Sequence, residues 1–163
     1  MNKGGDKMKE KWKSLIVCLL IPLAAGGVSA LLSDGGMERF SQLNQPPLSP
    51  PGWLFPVVWT ILYLLMGFAS WLVLTSGESQ RMVIRALRVY SLQLAINFFW
   101  SIIFFSLGKY LFAFFWLLLL WVLIIVTMIR FYHVREVAGE ALLPYFLWVI
   151  FAGYLNLAIC LLN

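Results

Sequence analysis

Hydrophobic residues run through this chain in five long stretches that no charged residue interrupts. Each stretch is at least about 20 residues long, and 20 residues of α-helix span the roughly 30 Å hydrocarbon core of a bilayer. Because a lipid-exposed chain must satisfy its own backbone polar groups, each stretch is expected to be helical. The charge-free stretches are Ser14–Ser33, Phe40–Gly77, Val89–Gly108, Tyr110–Ile129 and Ala141–Asn163. We predict membrane-spanning helices over residues 14–33, 53–75, 83–107, 110–130 and 140–162.

Composition supports the same class of protein. Of the 163 residues, 62% are hydrophobic and only 12% are charged, which is about half the charged share of a globular protein. The short segments of alternating polarity that are typical of a β-barrel are not seen. Short connections make neighbouring helices antiparallel, so the chain is predicted to be an all-α membrane protein, a single five-transmembrane-helix bundle over residues 1–163.

The basic residues indicate the orientation of the bundle. With five spans, ten of the twelve basic residues fall on the side of the N-terminus, and only Arg39 and Lys109 fall on the other. The ten are Lys3, Lys7, Lys9, Lys11, Lys13, Arg81, Arg85, Arg88, Arg130 and Arg135. This bias predicts a cytoplasmic N-terminus. The basic residues cluster at span ends without stacking platforms, so no nucleic-acid partner is expected.

The first connection, residues 34–52, is the least helical part of the sequence. Its glycines and its four prolines break up any regular helix, and the stretch Gln45–Pro51 is expected to be extended and stiff. At roughly 19 residues it is longer than most connections, and long ordered loops are often functional. It is either a floppy connector or a lid that packs on the bundle, and the proline density favours the lid.

Candidate catalytic chemistry is sparse. No ionisable residue lies near the centre of a predicted span, which argues against a pump or transporter built on buried charges. The one histidine, His133, falls in a connection, and no metal site or catalytic triad can be assembled from the spans. We therefore expect neither a metal ion nor a cofactor.

Aromatic and amide side chains supply the remaining signal. They recur at spacings of three or four, which place them on one helical face in the second, third and fifth spans. The helical rise puts them in one layer of the outer half, beneath the first connection. They either line a cavity for a flat hydrophobic ligand or simply pack and hydrogen-bond across the bundle. The stripes include Trp59 and Tyr63, then Gln93, Asn97 and Trp100, then Trp148, Phe151 and Ala152.

Small residues form a separate stripe in the first span. Ala25, Ser29 and Ser33 recur every fourth residue, with Gly26 and Ala30 beside them. Such patterns permit close helix approach, so they are interpreted as packing positions within the bundle or in a dimer.

Three stretches resemble the translocator protein family, also called tryptophan-rich sensory proteins (TspO/MBR). They occur in the family's order and at its spacing, and the resemblance covers the chain from about Leu15. They are Pro50–Tyr63 (PPGWLFPVVWTILY) with Met66 and Gly67; Leu94–Ser101 (LAINFFWS) with Phe104 and Phe105; and Leu143–Trp148 (LPYFLW) with Phe151, Ala152, Leu155 and Asn156.

The resemblance implies a five-helix bundle, often dimeric, with a pocket in its outer half that binds porphyrins and other tetrapyrroles. The positions that match the family's pocket are Trp59, Tyr63, Asn97, Trp100, Trp148, Phe151 and Ala152. Two positions depart from the family. Leu48 stands where a tryptophan of the first loop is common, and Leu157 stands at the tyrosine of the animal sterol motif. Sterol binding through that motif is therefore not expected.

Three functions follow as hypotheses. The first is a receptor or carrier for porphyrins in the bacterial cell membrane, acting as a homodimer. Rings would stack on Trp59 and Trp148, Asn97 and Gln93 would bind a polar edge, and Pro46, Pro47 and Trp53 would close the top. The second is light-dependent porphyrin breakdown, for which Trp59 and Trp148 are the candidates. The third is a structural role in binding another membrane protein.

Overall fold

The computed structural model describes residues 3–33 and 35–163, and the side chains of these except at positions 3–7 and 37. Asp34, where the predicted first connection begins, lies outside the described residues, as do the side chains of Lys3 and Lys7. The helices are α1 (Lys3–Leu32), α2 (Gly36–Gln42), α3 (Leu54–Leu74), α4 (Gln80–Ser101), α5 (Tyr110–Val134), α6 (Glu136–Glu140) and α7 (Leu143–Leu162). A π-helical turn, Ile102–Ser106, continues α4.

Five helical segments are long and apolar enough to cross a membrane. They are Met8–Leu32, Leu54–Leu74, Gln80–Ser106, Tyr110–Val134 and Glu136–Leu162. This confirms the prediction of an all-α membrane protein with five transmembrane helices, and the chain is an integral, multi-pass membrane protein. The short helices α2 and α6 were not predicted from the sequence, and the prediction that His133 lies in a connection is wrong, because α5 continues through it to Val134.

Proline and glycine fix several helix boundaries. Pro144 occupies the first turn of α7, where its missing N–H costs no helical hydrogen bond. The N–H of Leu54 donates to the Pro51 carbonyl (2.9 Å) and so begins α3 directly after the double proline. Gly108 takes a left-handed conformation, with a φ of 60°, between the π-helical turn and α5. These residues end one span and begin the next within a few positions.

The five long helices form a closed bundle. Helix α1 packs against α3 and α4, α4 packs against α5, and α5 packs against α7. Helices α3 and α7 make few close backbone approaches, and large aromatic side chains lie between them. We call the end at which α1 begins the basic end, because it carries Lys9, Lys11, Lys13, Arg81, Arg85 and Arg88. The opposite end, where the first connection lies, is the lid end.

The tightest helix contact joins α1 to α3 at Gly67. A Cβ atom on Gly67 would lie 2.6 Å from the Cys18 carbonyl oxygen and 2.7 Å from the Leu19 Cα atom. Both are backbone atoms, which cannot move without shifting α1. Near the basic end the Trp71 indole N–H also donates to the Ser14 hydroxyl (3.2 Å). Helix α1 is therefore held against α3 over its basic half.

A Gly67→Ala substitution is expected to destabilise the protein although alanine favours helix. Overpacking against backbone costs about 1–3 kcal/mol, which exceeds the roughly 1 kcal/mol gain in helix propensity. Gly27→Ala is the matched control, because a Cβ atom there meets nothing within 4 Å and should stabilise α1. Thermal unfolding in detergent measures both. A Gly67→Ala protein as stable as Gly27→Ala would show that α1 and α3 are not in contact at this glycine.

The first connection packs across the lid end. Helix α2 buries Phe40 against Phe55, Phe104 and Phe105, with ring centroids 5.5 to 6.2 Å apart. The Tyr154 hydroxyl donates to the Pro47 carbonyl (2.8 Å), so the proline segment is tied to α7. Asn44 and Asn163 bond to each other through backbone and side chain at 2.9 and 3.3 Å.

A tight turn lies in the middle of this connection. The Ser49 N–H donates to the Pro46 carbonyl (3.2 Å), and Leu48 has a φ of 68°. Pro47 followed by a residue with positive φ is the pattern of a type II turn, which normally takes glycine at that position. The leucine side chain is 80% exposed. The turn therefore carries backbone strain and points Leu48 away from the bundle.

Candidate ligand-binding site

A cavity of about 330 Å³ lies at the lid end between α1, α3 and the π-helical turn. We call it the lid-end cavity. Its lining residues come from all three elements and from both ends of the first connection. They are Gly26, Ala30, Ser33, Gly35, Gly52, Phe55, Pro56, Trp59, Tyr63, Ser101 and Phe105. The volume is at the lower end of the 300–1,000 Å³ range of small-molecule sites.

Helix α3 supplies the aromatic wall of the cavity. Phe55, Trp59 and Tyr63 are spaced by four residues, which places them on one helical face. The Trp59 and Tyr63 rings are 5.5 Å apart and inclined by 31°. The face of such a ring pair suits a flat conjugated ligand, because offset stacking is favourable between π systems.

Helix α1 supplies a wall of small residues. A Cβ atom on Gly26 would lie 2.1 Å from the Tyr63 ring, so any residue other than glycine at this position would clash with the ring. Ala30 and Ser33 continue the wall towards the lid end. This stripe was interpreted from the sequence as packing positions. Gly26 does pack, against Tyr63, whereas the small side chains of Ala30 and Ser33 line the cavity and leave its volume open.

The π-helical turn places Ser101 and Phe105 on the cavity wall. The Leu107 N–H donates to the Ile102 carbonyl (3.0 Å), five residues back, which widens the helix at this turn. Phe104 then packs inward against Trp100, with ring centroids 5.6 Å apart, while its neighbour Phe105 faces the cavity. Turns of this type occur frequently at functional sites.

Hydroxyl groups form the polar part of the lining. Ser33, Tyr63 and Ser101 each contribute one. The Ser33 hydroxyl is buried and has no hydrogen-bond partner among the described residues. A buried polar atom without a partner is costly and calls for an explanation.

Trp100, Gln93 and Asn97 lie in the bundle interior, behind the cavity wall. Trp100 packs on Trp59, with ring centroids 6.1 Å apart. The Gln93 amide N–H donates to the Tyr145 hydroxyl (2.6 Å), while its oxygen has no partner among the described residues. Asn97 is buried with its amide beside the Tyr63 side chain, and neither amide atom forms a well-aligned hydrogen bond among the described residues. None of the three lines the cavity.

Helix α7 places the other predicted residues on the far side of Phe55. Trp148 contacts Phe55 (6.1 Å between ring centroids) and Phe151 (5.5 Å). Ala152 is buried in the bundle core. Trp148 and Phe151 therefore meet Trp59 only through other aromatic residues. The structure brings Trp59 and Tyr63 together at the cavity, with α7 as a second aromatic layer.

The residues predicted to form the lid differ in burial, and none of them lines the cavity. Pro46 is buried and Pro47 is exposed, and both belong to the segment tied to α7 by Tyr154. Trp53 is 66% exposed and does not line the cavity. The residues of the connection that do reach the cavity are Gly35 and Gly52.

Comparison with known proteins identifies the family. A sequence model of the TspO/MBR family matches residues 18–162. The chain belongs to the TspO/MBR family. The match includes four spans in full and the greater part of the first, which confirms the resemblance drawn from the three aromatic stretches. Within this TspO/MBR protein, Trp59 and Tyr63 lie in the first of those stretches.

Relatives cover nearly the whole TspO/MBR chain. The tryptophan-rich protein TspO of Chlorobaculum tepidum is 36% identical over 157 residues, which is 96% of this chain and 99% of the relative. The tryptophan-rich sensory protein of Cereibacter sphaeroides is 32% identical, over 96% of this chain and 95% of its own. The translocator protein of Bos taurus is 30% identical, over 91% and 89%. The same architecture is therefore expected in bacterial and animal relatives.

Several residues of the site were not predicted from the sequence. Phe55 and Phe105 line the cavity, and Tyr145 packs edge-on against Trp59 at 6.2 Å. The signal for Phe55 was available, because it lies four residues before Trp59 on the same helical face. Phe105 had no such signal, since its placement depends on a π-helical turn that hydrophobic periodicity does not reveal.

Proposed function

We propose that this protein is a membrane receptor or carrier that binds porphyrins or similar flat hydrophobic ligands in the lid-end cavity. The observation that carries the proposal is the cavity itself, which lies between the Trp59–Tyr63 ring pair and a wall of small residues on α1. A slot with one aromatic side and one smooth side suits a planar molecule. The hydroxyls of Ser33 and Ser101 would face its polar edge.

A sensory or transport role is supported by the names of the relatives. One relative is a tryptophan-rich sensory protein, and others are translocator proteins. The cavity lies at the lid end, beside the first connection, whose proline segment is held to α7 by the hydrogen bond from Tyr154 to Pro47. A ligand could enter and leave by displacing this connection, as a receptor and a carrier both require.

Orientation and assembly are part of the proposal. The excess of basic residues at the basic end supports a cytoplasmic N-terminus in a bacterial cell membrane, which places the cavity towards the outer face. The family resemblance supports a homodimer. The Ser29 hydroxyl donates to the Phe98 carbonyl within this chain (2.7 Å), so that serine is already engaged and is not free for a partner subunit.

Titration with protoporphyrin IX tests the binding proposal. Bound porphyrin is expected to quench tryptophan fluorescence, and replacing Trp59 with phenylalanine should raise the half-quenching concentration about tenfold, or 1.4 kcal/mol. The matched control replaces Trp12, an exposed tryptophan of the basic end, with phenylalanine. Equal titrations for the two variants would remove Trp59 from the site.

A further inference from the structure

An arginine of the short helix α2 lies beside the lid-end cavity. The Arg39 Nη1 atom donates to the Ser106 carbonyl (3.1 Å), and the Ser106 hydroxyl donates to the Leu32 carbonyl (3.0 Å). The backbone N–H of Arg39 donates to the carbonyl of Gly35, which lines the cavity (3.2 Å). These bonds join α1, α2 and the π-helical turn. We call Arg39, Ser106 and Leu32 the rim cluster.

The rim cluster adjoins the cavity wall on two sides. Leu32 directly precedes Ser33, which lines the cavity from α1. Ser106 directly follows Phe105, which lines the cavity from the π-helical turn. Because the guanidinium of Arg39 is bonded at Ser106, its positive charge lies at the lid-end edge of the cavity. A ligand group that reaches past this edge would meet that charge.

The charge of Arg39 is not neutralised by a carboxylate in the part of the chain that the structure describes. Its nearest acidic neighbour in sequence, Glu38, forms no ion pair with it, because consecutive residues of a helix do not face each other. A guanidinium has five N–H donors, and among the described residues only the Nη1 atom of Arg39 is bonded. The side chain is exposed, so a carboxylate can reach the edge formed by its Nε and Nη2 atoms.

The other basic residue on the lid-end side of the sequence, Lys109, lies away from the cavity. It directly precedes α5 and lines a shallow surface hollow with Tyr110, Leu111, Phe112 and Phe115. That hollow shares no lining residue with the lid-end cavity. Of the two lid-end cations, Arg39 is therefore the one that adjoins the cavity.

The chemistry of an acidic porphyrin matches this arrangement. Protoporphyrin has an apolar ring system and carries its propionic acid side chains on one edge. An ionised carboxylate is costly to bury unless it is paired, so the acidic edge should stay near water while the ring lies in the cavity. The lid end is the side of the cavity at which water is available, and Arg39 lies on that side.

We propose that Arg39 binds a carboxylate of the ligand, so that the lid-end cavity selects acidic porphyrins over neutral ones. The inference rests on the proposed function and adds the chemical class of ligand that the site prefers. The carboxylate accepts hydrogen bonds from the Nε and Nη2 atoms, while Nη1 keeps its bond to Ser106. That bond holds the guanidinium in place before the ligand arrives, which makes Arg39 a specificity-determining residue.

Fluorescence titration of the full chain in detergent tests the proposal, with protoporphyrin IX and its dimethyl ester as the two probes. The ester has the same ring system but no ionisable carboxylate. The quantity compared between proteins is the ratio of the ester's dissociation constant to that of the acid, because partitioning of each probe into detergent then cancels. Arg39→Gln should lower this ratio about three- to tenfold, since it weakens binding of the acid and leaves binding of the ester unchanged.

Lys109→Gln is the matched control, because it removes the same charge from the same end of the bundle and should leave the ratio unchanged. If Arg39 only held α2 against the π-helical turn, its loss would weaken both porphyrins equally. An unaltered ratio in Arg39→Gln, or an equal fall in Lys109→Gln, would therefore overturn this inference while the proposed function stands. Failure of the unmodified protein to bind either porphyrin would instead overturn the proposed function, and this inference with it.

Discussion

Phenylalanine in place of Ala30 is expected to reduce protoporphyrin affinity by at least about tenfold, or 1.4 kcal/mol. Ala30 lines the lid-end cavity from α1, opposite the aromatic wall of α3. A phenyl ring there would occupy the slot in which the ligand's ring system is proposed to lie. Because Ala30 is exposed, the larger side chain displaces no core residue, and the fold should be unaffected.

Ala24→Phe is the control for this substitution. Ala24 is also an exposed alanine of α1, but it does not line the cavity. Fluorescence titration of both variants, with thermal unfolding to check folding, gives the comparison. If Ala30→Phe binds protoporphyrin as tightly as Ala24→Phe does, the ligand does not lie between α1 and α3.

Leucine in place of Asn97 is expected to stabilise the ligand-free protein. The Asn97 amide is 1% exposed and unpartnered among the described residues, and an unsatisfied buried polar group costs about 1–3 kcal/mol. A leucine, which has the same number of side-chain heavy atoms and the same branching, removes that cost. For a protein of this size, the melting temperature should rise by about 2–4 °C per kcal/mol.

Asn156 provides the opposite case on α7. It is fully buried, accepts a hydrogen bond from the Trp100 indole (3.4 Å) and donates to the Tyr110 carbonyl (2.8 Å). Asn156→Leu would leave both groups without partners and should destabilise the protein by about 1–3 kcal/mol. The two substitutions thus have the same chemistry and opposite expected signs. A loss of stability in Asn97→Leu comparable with that in Asn156→Leu would show that Asn97 is bonded in the native protein.

The same Asn97 variant also bears on function. Polar groups that reduce stability are retained where activity requires them. Asn97 lies beside the side chain of Tyr63, which lines the cavity. Asn97→Leu should therefore weaken protoporphyrin binding while it stabilises the ligand-free protein.

The spans could be predicted because their cause is local. Uninterrupted apolar stretches of sufficient length dictate membrane helices, and the predicted bounds for 53–75 and 83–107 agree with Leu54–Leu74 and Gln80–Ser106 within three residues. Helix α1 extends back to Lys3, far beyond the predicted start at residue 14, because helical structure does not end where the hydrophobic stretch ends. Helix α2 was not predicted because it is only seven residues long and is stabilised by the packing of Phe40 on the bundle, which is a tertiary contact.

The site was predictable only in part, for a similar reason. Trp59 and Tyr63 follow from spacing on α3, but which helix faces them depends on how the bundle closes. The structure places the small residues Gly26 and Ala30 opposite them, where the sequence suggested the amides of α4 and the rings of α7. Helix spacing assigns a residue to a face of its own helix, and it cannot assign that face to a neighbour.

A structure of the complex with protoporphyrin IX would test the central claim most directly. We predict that the porphyrin ring lies against Trp59 and Tyr63, between α1 and α3, with a polar edge near Ser33 and Ser101. A porphyrin bound elsewhere, such as on the lipid-facing surface, with the space beside Trp59 unfilled, would contradict the account.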